Sequence, residues 1–183
     1  MSMSPELKKK LFIGVVLGVS FSMYFLLKFV YFVHPGEQYI VLQFGRPIAG
    51  PITAPGAHFK MYYQDLEVLP SGEQHWTDSS RKFFIDRQTT LSLKTSLTWE
   101  IVDAIAYFEA FSDQLDLPAS VKEQIREKLQ EALLTNENID NREDVMDPQV
   151  KDEIVRFVSQ QVNEENADKG LKVESIDYVE TDG

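Results

Sequence analysis

KKKLFIGVVLGVSFSMYFLLKFVYFVH, residues 8–34, decides the architecture: three lysines, then an apolar run from Leu11 to Val33 interrupted by the single cation Lys28. As a helix rising about 1.5 Å per residue, the run reaches roughly 34 Å, enough to cross a hydrocarbon core of about 30 Å. A cleaved leader is the rival reading, but its apolar region covers only about 7 to 15 residues and ends at small residues. Here the run ends at Tyr31, Phe32, Val33 and His34, and cutting after the small residues Gly18 and Ser20 would leave a long apolar stub. The run is therefore expected to stay as an anchor.

Lys8, Lys9 and Lys10 precede the run, whereas the first cation after Lys28 is Arg46. Cations near a span stay on the cytoplasmic side, so residues 1–10 are expected inside, 11–33 in the membrane and 34–183 outside. Tyr31 and Phe32 fall where aromatic rings favour the interface, and Lys28 lies close enough to the end to snorkel there. Gly14, Gly18 and Ser22 form a row of small residues four apart, a candidate face for packing against another membrane helix.

Residues 34–183 carry 14 basic and 28 acidic side chains, a net charge of −14. Nucleic acid is excluded as a partner on that balance, because phosphate neutralisation needs a basic surface. The length suits one domain with its own core. Cysteine is absent, which excludes disulfides, thiol catalysis and cysteine-ligated metals.

Gln38 to Phe44 (QYIVLQF) reads as a strand, and the glycines and prolines from Gly45 to Gly56 read as loop. His58–Tyr63 and Asp65–Leu69 read as short strands, and Pro70–Ser80 as a polar loop. From Lys82 to Ile101 the alternation predicts two long antiparallel strands turning near Asp86–Gln88. The period then changes. Asp103–Phe111 predicts a short helix, and Val121, Ile125, Leu129 and Leu133 mark one face of a longer one. Ser120 with Glu123 spells a capping box, with Pro118 as an earlier start. Asp147-Pro148 opens another helix, Lys169-Gly170 closes it, and Leu171–Val179 reads as a final strand. Strands, then helices, then a strand give an α+β domain behind one transmembrane helix.

Chemistry-bearing constellations are sparse. Ser71, His75 and Asp78 are triad residue types within one loop, but no strained nucleophile turn accompanies them. His34, His58 and His75 lack metal-ligand spacing. Asp140, Asp144 and Asp147 lack the glycine and closing glutamate of a calcium loop, and fit helix capping instead. No cofactor or metal is expected. Glu123, Glu127 and Glu131, interspersed with Arg126, read as a solvated face with local ion pairs or, more sharply, as contacts between copies.

Gly36–Gly45 (GEQYIVLQFG), Ala54–Lys60 (APGAHFK), Leu97–Ile101 (LTWEI), Asp103–Phe108 and Gly170–Val179 together resemble the SPFH (stomatin, prohibitin, flotillin, HflK/C) or Band 7 family, in that order across nearly the whole chain. The resemblance is closest to the HflC type. It implies a non-enzymatic scaffold, membrane-bound, homo-oligomeric or paired with an HflK-like paralogue, and placed around a membrane protease of FtsH type, with its domain on the periplasmic side of a bacterial inner membrane. The family continues into a coiled coil; here the sequence reaches Gly183 just after the final strand, so assembly is expected through the domain's sides and the span. A monomeric membrane-tethered adaptor is the alternative reading, and a tethered hydrolase using the Ser71–Ser80 loop a further one. Ile48 and Ile52, between glycines and prolines, are expected either to dip into the outer leaflet or to pack beneath their loop.

Overall fold

A computed structural model describes residues 5–86, 89–112 and 114–181. Helix α1 (Pro5–Phe29) leads directly into strand β1 (Val30–Val33). Its portion Lys9–Phe29 is long and apolar enough to cross a membrane. The apolar run thus stays helical only to Phe29, not to Val33. Val30, Tyr31, Phe32 and Val33 are β-branched or aromatic, and β4 (Gly56–Phe59) offers them an antiparallel partner, with Val30 opposite Phe59 and Val33 opposite Gly56.

Strands β2 (Glu37–Gln43), β3 (Arg46–Ile52) and β5 (Gln64–Pro70) form a small antiparallel sheet in the order β3-β2-β5. Strand β3 occupies what reads as loop in the sequence. Its Pro47 and Pro51 have no ladder donor to give, and β3 lies at the sheet edge, where prolines are tolerated. The strand expected over His58–Tyr63 ends at Phe59, because Met61–Gln64 turns back: Gln64 N donates to Met61 O at 3.0 Å. Tyr31, Val33 and Tyr39 are buried between the two small sheets, with Ile52, Leu66 and Val68 against them.

The larger sheet centres on β8 (Thr90–Ile101). Along one edge β8 pairs with β6 (Gln74–Thr77) and β7 (Arg81–Phe84), and along the other with β9 (Leu171–Glu180). Strand β6 arises inside the expected polar loop, where Trp76 packs against the core and brings its neighbours onto β8. Arg87 and Gln88 of the expected turn lie outside the described residues. Every second residue of β8 from Leu91 to Ile101 is buried, Thr95 among them. Strand β9 buries Leu171 and Val173, then Ile176 and Tyr178; this change of phase coincides with a bulge opposite Thr98 and Trp99.

Helices α2 (Ala104–Phe111), α3 (Ala119–Thr135) and α4 (Pro148–Glu165) complete the α+β domain. Asp103 caps α2 through Ile105 N and Ala106 N, and Asp147 caps α4 through Gln149 N and Val150 N. The capping box at Ser120 does not form. Helix α3 starts at Ala119 after Pro118, so Ser120 sits within its first turn and Glu123 turns to Arg126 instead. Val121, Ile125, Leu129 and Leu133 of α3 and Val150, Ile154, Val158 and Val162 of α4 bury their stripes in one core with β8 and β9.

Candidate functional site

The base of the domain, where it meets α1, concentrates the features that point outward. Lys60 N donates to Phe29 O, the last residue of α1, at 2.8 Å. Lys60 Nζ and Met61 N then bond Gln64, at its O and Oε1 respectively, and Gln64 pairs with Gln43 across β2 and β5. Through these contacts the Lys60–Gln64 turn and the Phe44-Gly45 tip of the β2–β3 hairpin come to the level of the helix end. Phe59, Met61, Tyr62 and Phe44 are all exposed there. Sequence reasoning alone does not find this rim; the run Met61-Tyr62-Tyr63, and the lack of any Asp or Glu from Gln38 to Gln64, are its visible signals.

Tyr31, expected at the membrane interface, is instead only 9% exposed. Its ring packs with those of Tyr39 and His58, at centroid separations of 5.6 Å each. The alternation of β1 explains this: Tyr31 and Val33 face the small core while Phe32, between them, stays exposed. Ile52 packs beneath its loop and Ile48 is exposed. Lys28 lies in the last turn of α1, its ammonium 6.0 Å from the Tyr24 ring. Gly14, Gly18 and Ser22 are exposed along α1, and a Cβ at either glycine would meet nothing within 4 Å.

The candidate contacts on α3 divide. Arg126 turns inward: its Nε donates to Asp78 Oδ2 at 2.8 Å and its Nη1 to Glu123 at 3.0 Å. Burial works against the Asp78 charge, yet the hydrogen bond from Arg126 and the charges of Arg126 and Arg81 outweigh it and hold the carboxyl below its usual range. Arg126 thus joins α3 to the β6–β7 connection within the chain. Glu131 pairs with Lys128. Glu127 lines a groove between α3 and β7 with Glu123, Glu131, Lys82 and Leu134. Gln130 closes the strand edge of that groove, accepting from Phe84 N and donating to Phe84 O.

The triad reading fails on geometry. His75 Nδ1 lies 3.0 Å from Thr98 Oγ1, Asp78 is held by two arginines, and Ser71 bonds Gly36 through its backbone. His34 contacts Glu37 and His58 contacts Ala54 O. Asp144 accepts from Asp140 N and Asn141 N, and Asp147 caps α4. Among the described residues no cluster of three or more potential metal ligands occurs.

A family model described as SPFH domain / Band 7 family matches residues 31–181, from the second residue of β1 to the end of the described chain. No curated protein matches the sequence.

Proposed function

The chain belongs to the SPFH domain / Band 7 family, and we propose that it is an HflC-like scaffold held by α1, its domain on the outer, periplasmic side of a bacterial inner membrane. Members of the family generally oligomerise, associate with membranes and act as scaffolds rather than enzymes. In this reading copies of the chain, alone or alternating with an HflK-like paralogue, enclose lipid and restrict a membrane protease of FtsH type. The mechanism is positioning, with no catalytic residue of its own.

The observation that carries the reading is the junction: α1 ends at Phe29 and β1 begins at Val30, with a hydrogen bond from Lys60 across it. A domain joined to its span without a linker is held at a set height and tilt, as a scaffold requires and a loosely tethered enzyme does not. Glu123, Glu127 and Glu131 on α3 offer a side for a neighbour, and Gly14, Gly18 and Ser22 a face within the membrane.

Because the sequence has no cysteine, single cysteines report the orientation cleanly. Ser2→Cys and Asp140→Cys chains in intact inner-membrane vesicles or spheroplasts are treated with a membrane-impermeant maleimide. Asp140→Cys is expected to react in spheroplasts and Ser2→Cys only in inverted vesicles; the opposite pattern would overturn the proposed orientation.

A further inference from the structure

Two edge strands of the larger sheet are each held by a side-chain amide where a further strand would pair. On β7, Gln130 Oε1 accepts from Phe84 N at 2.9 Å and Gln130 Nε2 donates to Phe84 O at 2.7 Å. On β9, Asn163 Oδ1 accepts from Val173 N at 2.8 Å and Asn163 Nδ2 donates to Val173 O at 2.9 Å. A carboxamide carries the same donor and acceptor as a peptide group, so each side chain stands in for one residue of a further strand. The β7 cap borders an open groove of about 600 Å³ between β7 and α3.

That edge extends beyond what Gln130 covers. Ile85 N donates to Thr89 O at 3.1 Å, toward β8, so the alternating residues Phe84 and Lys82 turn their backbone groups away from β8. The groove beside them is apolar at one end, where Phe84 and Leu134 are 53% and 54% exposed, and acidic along the helix. Arg126 holds Glu123 and Lys128 holds Glu131, but among the described residues Glu127 between them makes no ion pair. In a domain of net charge −14 that wall attracts cations. We infer that the β7 edge is a docking site for an extended segment of a partner protein in which basic and apolar residues alternate. The segment's backbone pairs with Lys82 and displaces Gln130 from Phe84. Its apolar side chains pack beside Phe84 on one face of the added strand, and its basic ones meet Glu127 on the other, with their stems over Leu134. A second copy docking through the same edge about a two-fold axis would set the glutamates of α3 against their counterparts, like charge on like, so the guest is a different chain. The inference rests on the reading of α3 as a docking side and is independent of the membrane anchor.

The test uses the full chain in micelles of a neutral detergent and a fluorescein-labelled peptide alternating lysine with valine, followed by anisotropy. The peptide is expected to bind, and its fully N-methylated counterpart, which has no strand donors, to bind at least about tenfold more weakly. Gln130→Ala is expected to tighten binding about fivefold, because no amide then competes for Phe84. Lys82→Pro keeps the ladder to β8, since the lost N–H faces outward, and is expected to abolish binding. That variant also makes the surface more acidic, so simple adsorption of a cationic peptide would strengthen instead. Glu127→Gln is expected to weaken binding about threefold. Equal affinity for the N-methylated peptide overturns the site, as do affinities unmoved by Gln130→Ala and Lys82→Pro. Failure of the Gln130→Ala chain to bind the peptide overturns it too. So does a fall in the light-scattering mass of the peptide-free chain on Lys82→Pro, by assigning the edge to a second copy. An assembly of many copies that ignores the peptide leaves the scaffold standing while this site fails.

Discussion

Gly170→Ala is expected to lower the unfolding free energy by at least about 3 kcal/mol, among the larger effects of a single substitution. Gly170 closes the turn between α4 and β9 at φ 68°, in the left-handed region that favours glycine. An alanine there first loses about 1 kcal/mol or more to backbone conformation. Steric collision costs more. A Cβ would lie 2.1 Å from Asp103 O and 2.9 Å from Tyr107 N, backbone atoms of the capped start of α2. Neither can retreat cheaply: Asp103 O accepts from Tyr107 N at 2.9 Å, and Gly170 O itself accepts from Val102 N at 2.9 Å and Asp103 N at 3.2 Å. Relief would part α2 from the β8–β9 pair and disturb Tyr107, which is buried against Trp99. Gly72→Ala is the control. Gly72 has φ 80° but open space around its Cβ position, so only the conformational cost applies. Denaturant titration of both variants by circular dichroism checks the contrast, and equal losses would show that the collision at Gly170 costs nothing.

Leu17→Arg combined with Val19→Arg is expected to remove the chain from the membrane. Both positions lie near the middle of the Lys9–Phe29 span. An arginine at the centre of an inserting helix costs about 2.5 to 3.5 kcal/mol, so two cost roughly 5 to 7 kcal/mol, more than a moderately apolar helix can offset. Carbonate extraction followed by fractionation should find the variant released or degraded and the parent retained. Retention of the double variant would mean that α1 lies in the interface plane or is held by protein partners instead of spanning.

Much of this architecture is legible in the sequence, and the misses have shared causes. Periodicity identifies α3, α4 and β8, because each buries a single long stripe. The Asp147-Pro148 start of α4 is equally plain, but its end is not: α4 stops at Glu165 with Asn166 as its C-cap, and Lys169-Gly170, expected to close it, lies in the turn that follows, where Lys169 Nζ donates back to Glu165 O. Helix α1 stops short of the apolar run's end, since hydrophobicity alone does not separate a helix able to span a membrane from a buried strand. Only the pairing of Val30–Val33 with Gly56–Phe59, distant in sequence, separates them. Strands β3 and β6 escape for a related reason: short, polar or proline-bearing edges are defined by the strand beside them.

For the site the contrast is sharper. Charge spacing picks out Arg126 but cannot say that Asp78, far off in sequence, claims it. The aromatic rim is equally hidden, because its exposure follows from a turn at Lys60–Gln64 and a hairpin tip brought together by β2–β5 pairing. What composition does carry is the bare fact that acids avoid that stretch.

The most direct test of the scaffold is the mass of the full-length chain extracted with its lipid in native polymer nanodiscs and measured by multi-angle light scattering. A defined assembly of many copies, alone or with a paralogue and a membrane protease, is the predicted result. A single copy of 21.0 kDa in every particle would contradict it and make the chain a monomeric tethered adaptor.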